Sequence, residues 1–185
     1  VNTVGVKNLC ELFSGKIIQI STDYVFSGEK GPYSEEDKVR PISVYGATKL
    51  KAEKIIMSHN SKNLIIRGNV LYDYEKHSQA SFLNWVIDSL NKEIPINVVT
   101  DQINNPTWTE SMAKVILKCI ESDLSGVYHW GDAEILSRYE FALKIAKRFN
   151  LNTGLISPIL TKNLEQLAPR PLNSGLKADK LLGAL

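Results

Sequence analysis

The stretch from residue 17 to residue 72 restricts the fold more than any other part of the chain. Ile17–Ser21 is an apolar run of the kind a strand needs when both faces of a parallel sheet are covered, and it is expected to be a central strand. A helix from Tyr45 to about Ser58 follows, with Leu50, Ile55 and Ile56 toward the sheet and Lys51, Glu53 and Lys54 toward water. A second apolar run, Asn63–Tyr72, completes a strand–helix–strand unit. A right-handed crossover between two parallel strands leaves them neighbours. The expected class is therefore α/β.

The remaining segments continue the alternation. Helices are expected over about residues 2–13, 78–92, 109–121 and 139–149, and strands over Ile96–Val99 and Gly126–Trp130. Phe82, Trp85, Val86 and Leu90 share one helix face, which makes Trp85 a core residue rather than a ligand platform. Ser27–Pro41 is rich in Gly, Pro and charge and is longer than an ordinary connection, so it is expected to be a lid over a site. His129 alternates with Tyr128 and Trp130 and has a structural or rim role.

Chemistry concentrates at Tyr45 and Lys49. Four residues apart on a helix, they lie on one face and act on the same reacting group. A free phenol with a pKa of roughly 10 exchanges protons poorly near neutrality, and a fixed cation beside it favours the phenolate. Ser21 and Thr22 stand at the carboxyl end of the preceding strand, where open α/β sheets bind ligands. The spacing alone is a weak signal; the strand end and its hydroxyls strengthen it. Asp23, next in sequence, is a site residue or a simple loop or helix cap.

The segments IIQISTDYVF and VYGATKLKAEKII, with VVTDQINNPTWTESMAKVI, GVYHWGDAEILSRYEFALKIAKRFNL and APRPLNSGLKADKL downstream, resemble the extended short-chain dehydrogenase/reductase superfamily. Within it they are similar to the dTDP-4-dehydrorhamnose reductase family. The likeness covers nearly the whole chain. It implies a Rossmann-like doubly wound parallel sheet over residues 1–72 and a small α/β lobe over 73–185 that binds nucleotide sugar, with some segments returning to the sheet. It implies hydride transfer from NADP or NAD to the C4 ketone of a dTDP-4-keto-6-deoxy sugar. Thr22, Tyr45 and Lys49 would then be catalytic, with Ser21, Tyr45 and Lys49 toward the cofactor. Asp23, Tyr24, Gln102, Asn105, Thr107, Trp108, Arg170 and Asn173 would contact substrate, Arg170 as a fork on the diphosphate. The plainer alternative is that Thr109 or Thr107 caps the following helix, a role compatible with the first.

Two departures from the family pattern stand out. The segment RGNVLYD places Val70 where an aromatic residue is common, which leaves the sugar open, and Arg67 before it is read as an ion-pair partner. The GxxGxxG turn that cradles a pyrophosphate has no counterpart among the scattered glycines. The chain is accordingly expected to be the C-terminal part of a longer protein and not to form a complete dinucleotide site alone. Two other functions share these stretches: a regulatory subunit such as the β subunit of methionine adenosyltransferase, and a nucleotide-sugar epimerase or dehydratase.

Composition removes other classes. A net charge of +2 with dispersed basic residues offers no nucleic-acid stripe, and no apolar run approaches the roughly 20 residues of a bilayer span. Cys10 and Cys119 sit among apolar residues at helical spacing, as core thiols in a reducing, cytoplasmic setting. No metal-ligand pattern surrounds His59 or His77. A homodimer is compatible with the sequence, which does not fix the assembly.

Overall fold

The computed structural model describes residues 2–74 and 81–185. Helix α1 (Val4–Leu12) leads to β1 (Ile18–Thr22), a single 3-10 turn at Asp23–Val25, and then α2 (Val44–His59) and β2 (Leu64–Gly68). Next come β3 (Leu71–Tyr72), α3 (Phe82–Asn91), β4 (Ile96–Val99), β5 (Ile103–Asn104), β6 (Thr107–Trp108) and α4 (Thr109–Glu121). The chain finishes with β7 (Gly126–His129), β8 (Leu136–Ser137), α5 (Arg138–Arg148), β9 (Ile156–Ile159) and α6 (Asp179–Ala184). The helix expected from residue 78 begins at Phe82; residues 78–80 and His77 lie outside the described residues.

β1, β2 and β7 form a parallel sheet in that order, with Ile18 opposite Leu64 and Leu64 opposite Gly126. Alternate side chains of β2 divide between two layers, as a pleated strand dictates. Ile65 packs with Ile17, Cys10 of α1 and Ile56 of α2, whereas Leu64 and Ile66 pack with Met112, Val115 and Cys119 of α4 and Leu181 of α6. Full burial of each β2 aliphatic side chain is worth about 1.5–3 kcal/mol. This is the doubly wound α/β arrangement expected. A second core joins α3 and α5 to the parallel pair β4–β9, through Val86, Leu90, Val98, Phe141, Ile145 and Ile156.

Several expectations change. Among the described residues β1 is hydrogen-bonded to β2, and Ile20 is 37% exposed, while β2 lies between β1 and β7 and is buried throughout. Glu53 does not face water. It is buried, where the Arg67 guanidinium on β2 supplies its counter-charge at 2.8 Å. The run 63–72 is broken after Gly68, since Asn69 turns its amide inward to Asn105 and to the Ser174 carbonyl, and Val70 adopts φ 43°. That left-handed value is costly for a β-branched residue. Trp85 is 41% exposed, on the flank of its helix rather than in the core.

Ser27–Pro41 is no lid over the cavity described below. Tyr33 stacks on Phe26 and bonds to Gly175, and Asn173 donates to the carbonyls of Gly28 and Gly31. Gly28, at φ +82°, lies so close to Pro171 that a Cβ would collide with it. The segment is thereby fastened to the C-terminal stretch 171–177. Neither Thr107 nor Thr109 caps α4: Thr107 Oγ1 donates to the Asn105 carbonyl and Thr109 Oγ1 to Asp73. Asp132 ties down the start of α4, accepting from the Trp108 N–H and the Ser111 hydroxyl.

His129 is fully buried, its ring nitrogens set against the Tyr33 carbonyl and Arg67. Burial, aided by the Arg67 charge, pushes its pKa from 6.5 down to about 3. A depressed folded-state value means that the unfolded chain binds the proton first, so stability is present above pH 6.5 and is lost as pH falls toward 3. The full shift corresponds to on the order of 3–5 kcal/mol. Asp23 has the opposite sign: burial raises it from 3.8 to about 6, and its contribution is present below pH 3.8 and lost as pH rises through 6. Asp23→Asn removes this opposing contribution. Its stability, from urea unfolding at several pH values, should therefore fall more steeply than that of the parent between pH 6 and 4; parallel curves would contradict the assignment.

Candidate active site

The carboxyl end of β1 and the first turn of α2 meet around a cavity of ≈ 680 Å³, lined by Ser21, Thr22, Asp23, Tyr24, Tyr45 and Lys49 among others. Local sequence explains the meeting. Ser43 caps α2 by accepting from the Gly46 N–H at 3.1 Å. Gly46 lies against the Tyr24 carbonyl oxygen, where any Cβ would clash, so glycine lets the helix start press onto the Asp23–Val25 turn. The Tyr45 and Tyr24 rings consequently meet edge to face at 5.6 Å.

Tyr45 is half-exposed toward the cavity, free to meet a ligand. Lys49, one helical turn on, donates to the Ile20 carbonyl of β1 at 2.6 Å. Partial burial pushes its pKa down, while Glu53 acts the other way. Thr22 Oγ1 donates to Asp23 Oδ1 at 3.1 Å and accepts from the Tyr24 N–H at 3.2 Å. Asp23 is almost wholly buried, and its other oxygen accepts from the Ser174 hydroxyl at 2.5 Å. Ser21 turns away from the open space, donating to Glu53. Burial raises the Tyr24 phenol above its usual range, although the nearby Arg170 opposes this.

A second cavity of ≈ 490 Å³ shares Val70, Leu71, Arg138 and Arg170 with the first and adds Phe82, Trp85 and Gln102. Gln102 is held by Thr161 and Gln166, at 3.1 and 3.2 Å. Residues 167–170, not 27–41, supply the rim that overhangs the first cavity.

The structure thus gathers Ser21, Thr22, Asp23, Tyr24, Tyr45, Lys49 and Arg170 at one cavity and Gln102 at its neighbour. Four expected substrate residues are elsewhere. Asn105 is buried and spends its amide on Asn69, Asp132 and Leu176. Thr107 is fully buried, Trp108 lies beneath the Lys114 ammonium away from both cavities, and Asn173 holds the 27–41 segment.

Two lining residues escaped the sequence reading. Arg138 opens α5 beside its Ser137–Glu140 capping box, lies 5.0 Å from the Phe82 ring, and reaches both cavities. An arginine after a helix-capping serine carries no distinguishing signal. Asn69 lines the first cavity, and its Oδ1 has no hydrogen-bond partner among the described residues. Among those residues, no group of three or more His, Cys, Asp or Glu side chains is placed to hold a metal, and no helix is long and apolar enough to cross a membrane.

Known proteins share this architecture. The β subunit of methionine adenosyltransferase 2 from Xenopus laevis is 33% identical over 98% of this chain and 57% of its own length. A dTDP-4-dehydrorhamnose reductase from Aggregatibacter actinomycetemcomitans is 32% identical over 98% of this chain and 66% of its own. The crystal structure of the Bacillus anthracis dTDP-4-dehydrorhamnose reductase, in complex with NADP, superposes with a TM-score of 0.90 at 32% identity, covering 98% of this chain and 65% of that one. This chain therefore spans between about half and two thirds of such relatives. The RmlD substrate binding domain model matches residues 1–184, and the chain belongs to that family of extended short-chain dehydrogenase/reductase proteins.

Proposed function

We propose that the protein reduces the C4 ketone of a dTDP-4-keto-6-deoxy sugar at the expense of NADPH or NADH, in the cytoplasm. The observation that carries this reading is the convergence of Thr22, Tyr45 and Lys49 on one cavity that shares Arg138 and Arg170 with a second. Residues 1–72 would supply the catalytic end and 73–185 most of the nucleotide-sugar lobe.

The residues fit one end of a nicotinamide cofactor. Lys49 offers ammonium hydrogens beside β1 and Tyr45 a phenol on the same cavity, both suited to ribose hydroxyls; a glycine cradle for the pyrophosphate is not among the described residues. When bound, the nicotinamide supplies the hydride that reduces C4. Thr22 and Tyr45 orient the carbonyl oxygen by hydrogen bonds, and Tyr45 gives it a proton as charge develops there. The Lys49 cation stabilises the phenolate left behind. Arg138 and Arg170 meet the diphosphate with two forks of N–H donors, and Phe82 and Trp85 offer apolar surface to the far end of the ligand.

Likeness to the methionine adenosyltransferase β subunit favours a second reading, a regulatory binding partner. The test uses full-length protein. NAD(P)H should be consumed with a dTDP-4-keto-6-deoxy sugar, giving the 4-hydroxy sugar. No consumption with any nucleotide keto sugar, together with tight association with a methionine adenosyltransferase, would overturn the reductase reading. Release of an epimerised or dehydrated sugar without net NAD(P)H use would point to the third class instead.

A further inference from the structure

Thr22 has one hydroxyl hydrogen and two lone pairs. One lone pair accepts from the Tyr24 N–H, and the hydrogen is directed to Asp23 Oδ1. While Asp23 is a carboxylate it only accepts, so it competes with any ligand for that single hydrogen. A neutral carboxyl reverses the bond. Its own O–H then fills the second lone pair of Thr22, and Oδ2 still accepts from Ser174.

We propose that Asp23 is a positioning residue acting in its neutral form: it donates its proton to Thr22 Oγ1 and so turns the threonine hydroxyl hydrogen toward the substrate's carbonyl oxygen. This rests on the reading of Thr22 as the donor to that oxygen. Every polar group in the Ser174–Asp23–Thr22–Tyr24 chain is then satisfied, which the ionised form achieves only by withholding the Thr22 hydrogen.

The surroundings favour the neutral carboxyl. Asp23 is buried and has no ion-pair partner among the described residues, and burial lifts its pKa to about 6. Arg138 from α5 acts against this, as do the two hydroxyl bonds. The other ionisable groups around it are Tyr24 beside it, Tyr45 and Lys49 on α2, and Arg170 from the C-terminal stretch. The Glu53–Arg67 pair and His129 complete the set beneath the strand end. An anionic diphosphate bound across Arg138 and Arg170 would offset those two cations and raise the Asp23 value further.

The full-length protein tests this through three forms. In the parent, kcat should fall as pH rises past the Asp23 transition, by about tenfold for each unit beyond it. Asp23→Asn keeps the shape and presents a permanent N–H to Thr22 with a carbonyl for Ser174. It should retain activity at pH 6, lose that pH limb, and exceed the parent by at least about tenfold at pH 8, with KM little changed. Asp23→Ala, checked for a native circular dichroism spectrum, should be slow at every pH. An Asn variant that keeps the parent's pH limb, or is as slow as the Ala variant, overturns the proposal. Infrared titration gives a readout independent of turnover: a protonated-carboxyl band present at pH 5, lost by pH 8 and missing from Asp23→Asn. Absence of that band in the parent also overturns the proposal. If no nucleotide sugar is reduced at any pH while the band titrates as described, the reductase reading has failed and the donation to Thr22 has lost its substrate, whereas turnover without the band rejects Asp23 alone.

Discussion

Tyr45→Phe in the full-length protein should lower kcat by about 10²–10⁴-fold, the range for losing a positioned general acid, while substrate affinity changes little. The reasoning is local. Phe retains the ring that meets Tyr24 edge to face, and Tyr45 is 48% exposed, so the first turn of α2 keeps its packing. Only the phenolic hydroxyl disappears. Thr22 still offers a hydrogen bond to the carbonyl oxygen and the Arg138 and Arg170 side chains still flank the neighbouring cavity, which is why binding should survive. Stopped-flow reduction under saturating substrate, paired with calorimetric binding and a thermal melt, separates the chemical step from affinity and stability. Turnover within a few-fold of the parent would remove Tyr45 from the proton-transfer role.

The parts of the site that were legible in sequence are those within one strand–turn–helix unit. Thr22 at a strand end and Tyr45 and Lys49 at helical spacing are short-range relations, and the α/β class followed from the same stretch. What could not be read depends on distant partners. Glu53 looks like an ordinary solvated helix residue until Arg67, on another strand, faces it at 2.8 Å. Asn105 and Asn173 carry side chains suited to sugar hydroxyls, yet Leu176, Asp132 and Gly31 occupy them. Ser27–Pro41 has the composition of a lid, but the 171–177 stretch that fastens it lies more than a hundred residues away.

Breaking the buried Glu53–Arg67 pair should be the most destabilising single change near the site. Arg67 donates through Nε and Nη2 to the two carboxylate oxygens at 3.0 and 2.8 Å, and both side chains are nearly inaccessible to water. Glu53→Leu leaves a guanidinium that cannot shed its proton, with the Phe26 ring face and the neutral His129 beside it and no other carboxylate paired with it among the described residues. The expected loss is about 3–5 kcal/mol in urea unfolding, because an uncompensated buried charge remains. Replacing both partners, Glu53→Leu with Arg67→Met, should recover most of that loss, since the desolvation of two charges disappears along with their attraction. A single variant within about 1 kcal/mol of the parent, the ordinary worth of an exposed pair, would show that the guanidinium finds water after all. The double variant also separates stability from positioning. Ser21 donates to Glu53 one residue before Thr22, and the Arg67 charge is one cause holding His129 neutral. A refolded double variant should therefore show a higher His129 pKa by NMR titration, and any residual defect in turnover would measure how far Glu53 fixes the end of β1 on which Thr22 is carried.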